Sequence, residues 1–209
     1  MKALILVDIQ NDFLPGGALG VPEGDRVVPV ANAIQRAFSL VVATQDWHPR
    51  NHGSFAANHP GTSVGDQILL SGLPQILWPI HCVQNTLGAQ FAADLNRQRI
   101  TKIFRKGTDP AIDSYSGFFD NGHRKATGLG DFLQSAGVTD VYIAGLATDY
   151  CVKFTALDAR ELGLNTFLIE DASRGVNLRP LDVSNAIDQM RRAGVQIIKS
   201  DQLDIAEAP

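Results

Sequence analysis

The stretch Val141-Tyr142-Ile143-Ala144-Gly145-Leu146-Ala147-Thr148-Asp149-Tyr150-Cys151-Val152 decides the fold class. Its first four residues form a short apolar run of the kind found in strands buried on both faces of a parallel sheet. Behind the run, Thr148 or Asp149 is placed to cap a helix, and Phe154, Leu157 and Leu162 recur near the helical period. Cys151 is therefore expected in the first turn of a helix that follows a buried strand. Free backbone N–H groups and the positive dipole end favour a thiolate there, so the thiol is expected to ionise below the ~8.5 of a free cysteine and to serve as a nucleophile. A buried, inert cysteine is the alternative, because free Cys is among the most buried residue types.

Short apolar runs of the same kind recur at 4–7, 40–43, 103–104, 167–169 and 195–198. Amphipathic stretches at 26–38, 86–97, 127–136, 149–163 and 181–193 read as helices, several closed by a glycine such as Gly137, Gly163 or Gly194. Strands alternating with helices imply right-handed βαβ units. The expected architecture is α/β, a three-layer α/β/α sandwich with a six-stranded, mostly parallel sheet, in a single domain over residues 1–209. Two long loops, 46–80 and 107–124, follow the carboxyl ends of strands, where open α/β sheets place their ligand crevice.

Composition narrows the function. With 44% hydrophobic and 19% charged residues and a mean hydropathy of -0.02, the chain reads as globular rather than disordered or membrane-embedded. A net charge of -4 and a pI near 5.7 give no electrostatic reason to bind nucleic acid or anionic lipid. The apolar start is cut short at Asp8, too early for a signal peptide, and two cysteines make no disulfide framework. A cytoplasmic location is expected, as a monomer or a homo-oligomer.

Asp8 and Lys106 each close a predicted strand, so the fold would bring an acid, a base and the Cys151 thiol to one sheet edge. Each alone is more often a helix cap, a turn residue or a solvated charge; the shared address makes the triad. Asp46 and His48 lie two apart on an extended segment and face the same way, and with His81 they make a site for a divalent ion with open positions. His52 and His59 lie in the same loop and read as solvated loop histidines, with a fourth metal ligand as the alternative for either, and His123 reads as a surface residue. Gly16, Gly17 and Gly20 make no dinucleotide fingerprint, since they follow Pro15 in a loop.

The motifs VDIQNDF at 7–13, QDWHPRNHGSFAANHPG at 45–61, WPIHCVQ at 78–84, KGTDPAIDSYSGF at 106–118 and GLATDYCV at 145–152 closely resemble those of the nicotinamidases in the isochorismatase-like cysteine hydrolase superfamily. The resemblance implies hydrolysis of nicotinamide to nicotinate and ammonia through a cysteine thioester, in NAD salvage, with pyrazinamide a second substrate. Asp8, Lys106 and Cys151 match its triad, and Asp46, His48 and His81 its metal ligands. Phe13 and Trp78 match the walls that sandwich the ring, and Tyr115 a further pocket residue. A cis bond between Leu146 and Ala147 is also implied, aiming the N–H groups of Ala147 and Cys151 at an oxyanion. One divalent ion is expected, zinc first, with iron or manganese as alternatives. Where some relatives place a further metal ligand this chain has Ser54, which is expected to hold a water in the fourth position. The rival within the fold is a cysteine amidohydrolase acting on an N-carbamoyl or ureido substrate, which needs no metal.

Overall fold

The computed structural model describes residues 1–203. Its main sheet has six strands, β1 (Lys2–Val7), β2 (Leu40–Asp46), β5 (Ile100–Lys106), β6 (Asp140–Leu146), β7 (Asn165–Arg174) and β8 (Gln196–Ile198), in the order β5-β2-β1-β6-β7-β8. Every pairing in it is parallel. All six apolar runs read from sequence fall on these strands. Alternation along β1 explains the three layers: Leu4 and Leu6 face one core, Ala3, Ile5 and Val7 the other. The first core is covered by α1 (Val27–Ile34), the second by α2 (Leu129–Ser135), α3 (Lys153–Glu161) and α4 (Asp182–Arg192).

Two departures from the sequence reading lie between β2 and β5. The first is a two-stranded antiparallel hairpin, β3 (Gln67–Leu70) and β4 (Leu73–Ile76), which interrupts the long loop. The second is that the helix expected at 86–97 does not form; the segment is a series of turns. Its backbone serves the loop after β1 instead. Asn11 and Asp12 donate to the carbonyls of Gln90 and Gly88, and Ala92 donates to that of Ile9. Ala89, Phe91, Ala92 and Leu95 still enter the first core, so the segment covers the sheet as a helix would, without being one.

Candidate active site

Parallel strands deliver the candidate residues to one edge. Asp8 follows β1, Asp46 ends β2, Lys106 ends β5, and Cys151 lies one turn beyond β6. Register sets Asp46 beside Lys106 and Val7 beside Gly145. A Cβ at Gly145, whose φ is +130, would overlap the Val7 carbonyl oxygen, so glycine alone allows β1 and β6 this approach. Asp8 itself has a left-handed φ of 48, a conformation that costs a non-glycine residue on the order of 1–3 kcal/mol and aims its carboxylate into the site.

Asp8, Lys106 and Cys151 meet in a buried cluster in which Lys106 is the hub. Its Nζ donates to Asp46 Oδ1 at 2.6 Å, to the Ser114 carbonyl at 2.9 Å and to Cys151 Sγ at 3.3 Å. Those three bonds use all three ammonium hydrogens. Asp8 Oδ2 is also 2.8 Å from Nζ, an ionic contact, and apart from it has no partner among the described residues. Asp8 Oδ1 accepts from Thr44 Oγ1 at 2.6 Å. Oδ2 is therefore the oxygen of the triad open to a proton.

Electrostatics agree. Burial pushes the Asp8 carboxyl up, only partly opposed by Lys106 and reinforced by Asp46. Burial would also raise Asp46, but Lys106 and His48 hold it well below the usual carboxylate range. Lys106 is pushed down by burial and pulled far up by Asp46 and Asp8, so it stays an ammonium. Cys151 departs from the sequence expectation. It lies in a wide π-type turn over Thr148–Val152, and burial lifts its thiol well above the ordinary value, with Lys106 pulling it down and Asp8 and Asp46 adding to the rise. Neither Thr148 nor Asp149 caps the turn. Asp149 instead accepts from the backbone N–H groups of Val176 and Asn177, at 2.9 and 2.8 Å, tying down a loop at the pocket. Burial thus favours the protonated thiol, with the Asp8 carboxyl on the same ammonium. The Leu146–Ala147 bond is cis, as the resemblance implied.

The second cluster adjoins the first through Asp46, whose other oxygen, Oδ2, is 3.3 Å from His48 Nε2 and 3.7 Å from His81 Nε2. Each ring is fixed through its far nitrogen. His48 Nδ1 bonds the Gly107 carbonyl at 2.8 Å and His81 Nδ1 the Pro79 carbonyl at 2.8 Å. A carbonyl only accepts, so both Nδ1 atoms carry hydrogen and both Nε2 atoms turn toward Asp46. Two imidazoles and a carboxylate converging within 4.8 Å suit a divalent cation. Burial would lower the His48 pKa, but the Asp46 carboxylate outweighs it and draws the pKa up.

Gly107 makes this cluster brittle. Its φ is +62, and a Cβ there would overlap the His48 imidazole. Gly107→Ala is expected to destabilise the protein by about 1–3 kcal/mol through overpacking and to weaken metal binding about 10–100-fold by turning His48. Melting temperature and metal content of the purified variant check both.

Phe13, Trp78, Tyr115 and Ala147 all line one cleft together with Cys151, Asp46, His48 and His81. Trp78 Nε1 donates to the Tyr115 hydroxyl at 3.1 Å, so Tyr115 orients the wall as well as forming part of it. Several positioning residues were not foreseen. Gln10 clamps the Asp46 backbone from both sides, accepting its N–H and donating to its carbonyl, each at 2.8 Å. Asp12 receives the Cys82 N–H at 2.7 Å and so anchors the strap that carries His81. Both lie in the VDIQNDF motif, where polar residues crowd a strand end. Among the loop histidines, His123 and His59 are near the surface as expected, but His52 is wholly buried. Burial and neighbouring His48 push its pKa down to about 4, so it is neutral. Its Nε2 has no protein partner among the described residues, and an unpaired buried donor costs about 1–3 kcal/mol. Ser54, also buried, bonds His52 Nδ1 through its hydroxyl at 2.7 Å rather than facing the cation site directly.

The sequence profile of the isochorismatase domain matches residues 2–202. The nicotinamidase of Escherichia coli strain K12 is 50% identical over 200 residues, covering 94% of this chain and 93% of that protein. Among solved structures, a nicotinamidase and pyrazinamidase of Acinetobacter baumanii superposes with a TM-score of 0.94 at 46% identity, covering 97% of both chains. The pyrazinamidase of Pyrococcus horikoshii, solved in complex with zinc, does so with a TM-score of 0.77 at 42% identity, covering 95% of this chain and 98% of that one.

Proposed function

The chain belongs to the isochorismatase family, and from that premise we propose that it hydrolyses nicotinamide to nicotinate and ammonia through a thioester on Cys151. The observation that carries the reading is the cleft that Cys151, the aromatic residues Phe13 and Trp78 and the donors Asp46, His48 and His81 all line. A flat pyridine ring between the walls places its carboxamide at the thiol, turning attack into an intramolecular step. Asp46, His48 and His81 would hold a divalent ion, zinc first with iron or manganese suiting the same donors, and it would supply a Lewis-acidic position for the ring nitrogen.

Asp8 Oδ2 removes the thiol proton as the sulfur bonds the amide carbon. The carbonyl oxygen becomes an oxyanion that the N–H groups of Ala147 and Cys151 receive. Asp8 passes the proton to the amide nitrogen, the C–N bond breaks and ammonia leaves. Asp8 then takes a proton from water as its oxygen bonds the thioester carbon; the C–S bond breaks, the sulfur recovers a proton and nicotinate departs. Lys106 stays charged throughout and steadies whichever of Asp8 and Cys151 is ionised.

Ammonia release from three amides tests this. Pyrazinamide keeps a ring nitrogen where nicotinamide has one and is expected to be hydrolysed with comparable kcat/KM. Isonicotinamide aims its nitrogen elsewhere and is expected to fall at least about tenfold below. Equal rates for all three would remove ring-nitrogen recognition, and preference for an N-carbamoyl compound would move the chain to the ureido class.

A further inference from the structure

His52 takes no part in the steps above, yet it is built into the site. The ring packs on His48 with centroids 4.3 Å apart and has no solvent exposure. Its Nδ1 accepts the backbone N–H of Ser54 at 3.2 Å and lies 2.7 Å from Ser54 Oγ. A backbone N–H only donates, so Nδ1 presents a lone pair and the ring hydrogen is on Nε2. That Nε2–H is the group left without a protein partner among the described residues. His48, His52 and Asp113 bring ligand atoms within 4.8 Å of one another, whereas the set of Asp46, His48 and His81 does not include His52. A direct fourth ligand has to close on all three of the others, and its coordinating nitrogen must be free of hydrogen. His52 meets neither condition and stands one hydrogen bond further out.

We propose that His52 is a positioning residue of the metal site, its Nε2–H donating to the water that completes the ion's coordination while Asp113 accepts from that water. This rests on Asp46, His48 and His81 being the ligands. Asp113 is held for the task, its Oδ1 accepting from the Ser114 N–H at 2.8 Å and its Oδ2 from Gln75 at 3.0 Å. Ser54 thus serves the fourth position through His52, its backbone setting the tautomer.

The experiment strips the purified protein with a chelator and titrates it with Co²⁺, following the visible d–d bands, for wild type, His52→Ala, His52→Phe, His52→Gln and His48→Ala. Phenylalanine fills the ring's volume without a donor, and glutamine keeps an N–H. Melting curves of the metal-free proteins show which variants fold. Expected is a ten- to hundredfold weaker Co²⁺ affinity for His52→Ala and His52→Phe with the band pattern kept, partial recovery in His52→Gln, and loss of binding in His48→Ala. Unchanged affinity in the folded His52 variants would overturn the proposal. So would a loss as complete as that of His48→Ala with altered bands, which would make His52 a direct ligand. Equal Co²⁺ affinity in wild type and His48→Ala would instead reject the ligand set itself.

Discussion

Replacing Cys151 by alanine is expected to lower ammonia release from nicotinamide to below about a hundredth of the wild-type rate while leaving the fold and the metal content intact. The fold survives because the sulfur is one of several partners of Lys106. When it goes, the freed ammonium hydrogen has Asp8 Oδ2 waiting 2.8 Å away, so no buried charge is orphaned. The other cysteine is the control. Cys82 is buried and works through its backbone, donating its N–H to Asp12 and accepting from the His48 N–H. Cys82→Ala keeps both bonds and is expected to retain activity within about twofold, as for substitutions away from the chemistry. Steady-state ammonia release, metal analysis and thermal melting of the two variants give the comparison; a Cys151→Ala protein above the hundredth would eliminate covalent catalysis.

Asp8→Asn is expected to cost about 10²–10⁴-fold in kcat/KM, since it removes the carboxylate proposed to take the thiol proton and leaves its volume in place. The wild-type pH profile carries the same information. Asp8 and Cys151 share a buried site and titrate as a pair, with the active form holding one proton between them. Burial raises both groups, so the sign follows at each limb. As pH falls, the pair gains a second proton and loses its base, so kcat/KM declines, starting above the usual carboxylate range because Asp8 is raised. As pH rises, the last proton is lost only well above the ordinary thiol value, which places the alkaline limb late. An acid limb at the pH of an ordinary aspartate would show that Asp8 is not the base.

Most of the fold was legible in the sequence because strands buried on both faces, as β1, β2 and much of β6 are, leave unbroken apolar runs, and the shorter runs on the partly exposed β5 and β8 still stood out between loops. The stretch at 86–97 misled because Leu87, Phe91 and Leu95 repeat every four residues as a helical stripe would. Leu87 is 72% exposed, so the stripe is not a packed face. A Cβ on Gly88 would overlap the Asp12 carboxylate, a long-range approach that no local pattern discloses. The β3–β4 hairpin was missed because its strands are half-exposed and carry little alternation, although Ser71-Gly72 at its turn, both with left-handed φ, is a legible signal. Within the site, residue type and strand-end address were enough to bring Asp8, Lys106 and Cys151 together, and Asp46, His48 and His81. What sequence could not supply was burial. A solvated loop histidine and the buried His52 look alike in one dimension, and a helix-start cysteine looks acidic until it proves buried.

The position of β5 at the end of the strand order has a consequence for durability. β5 pairs with β2 alone, and Thr101, Lys102, Ile103 and Arg105 along it are exposed, yet it carries Lys106. Marginal strands open by local fluctuation at free energies below that of global unfolding. Each such fraying event withdraws the ammonium from two carboxylates and a thiol at once, while the interior strands, and the bulk of the secondary structure, remain in place. Under heat or denaturant, activity is therefore expected to fall with the peeling of this border strand before the core melts, and ammonia release followed beside far-ultraviolet circular dichroism checks the order.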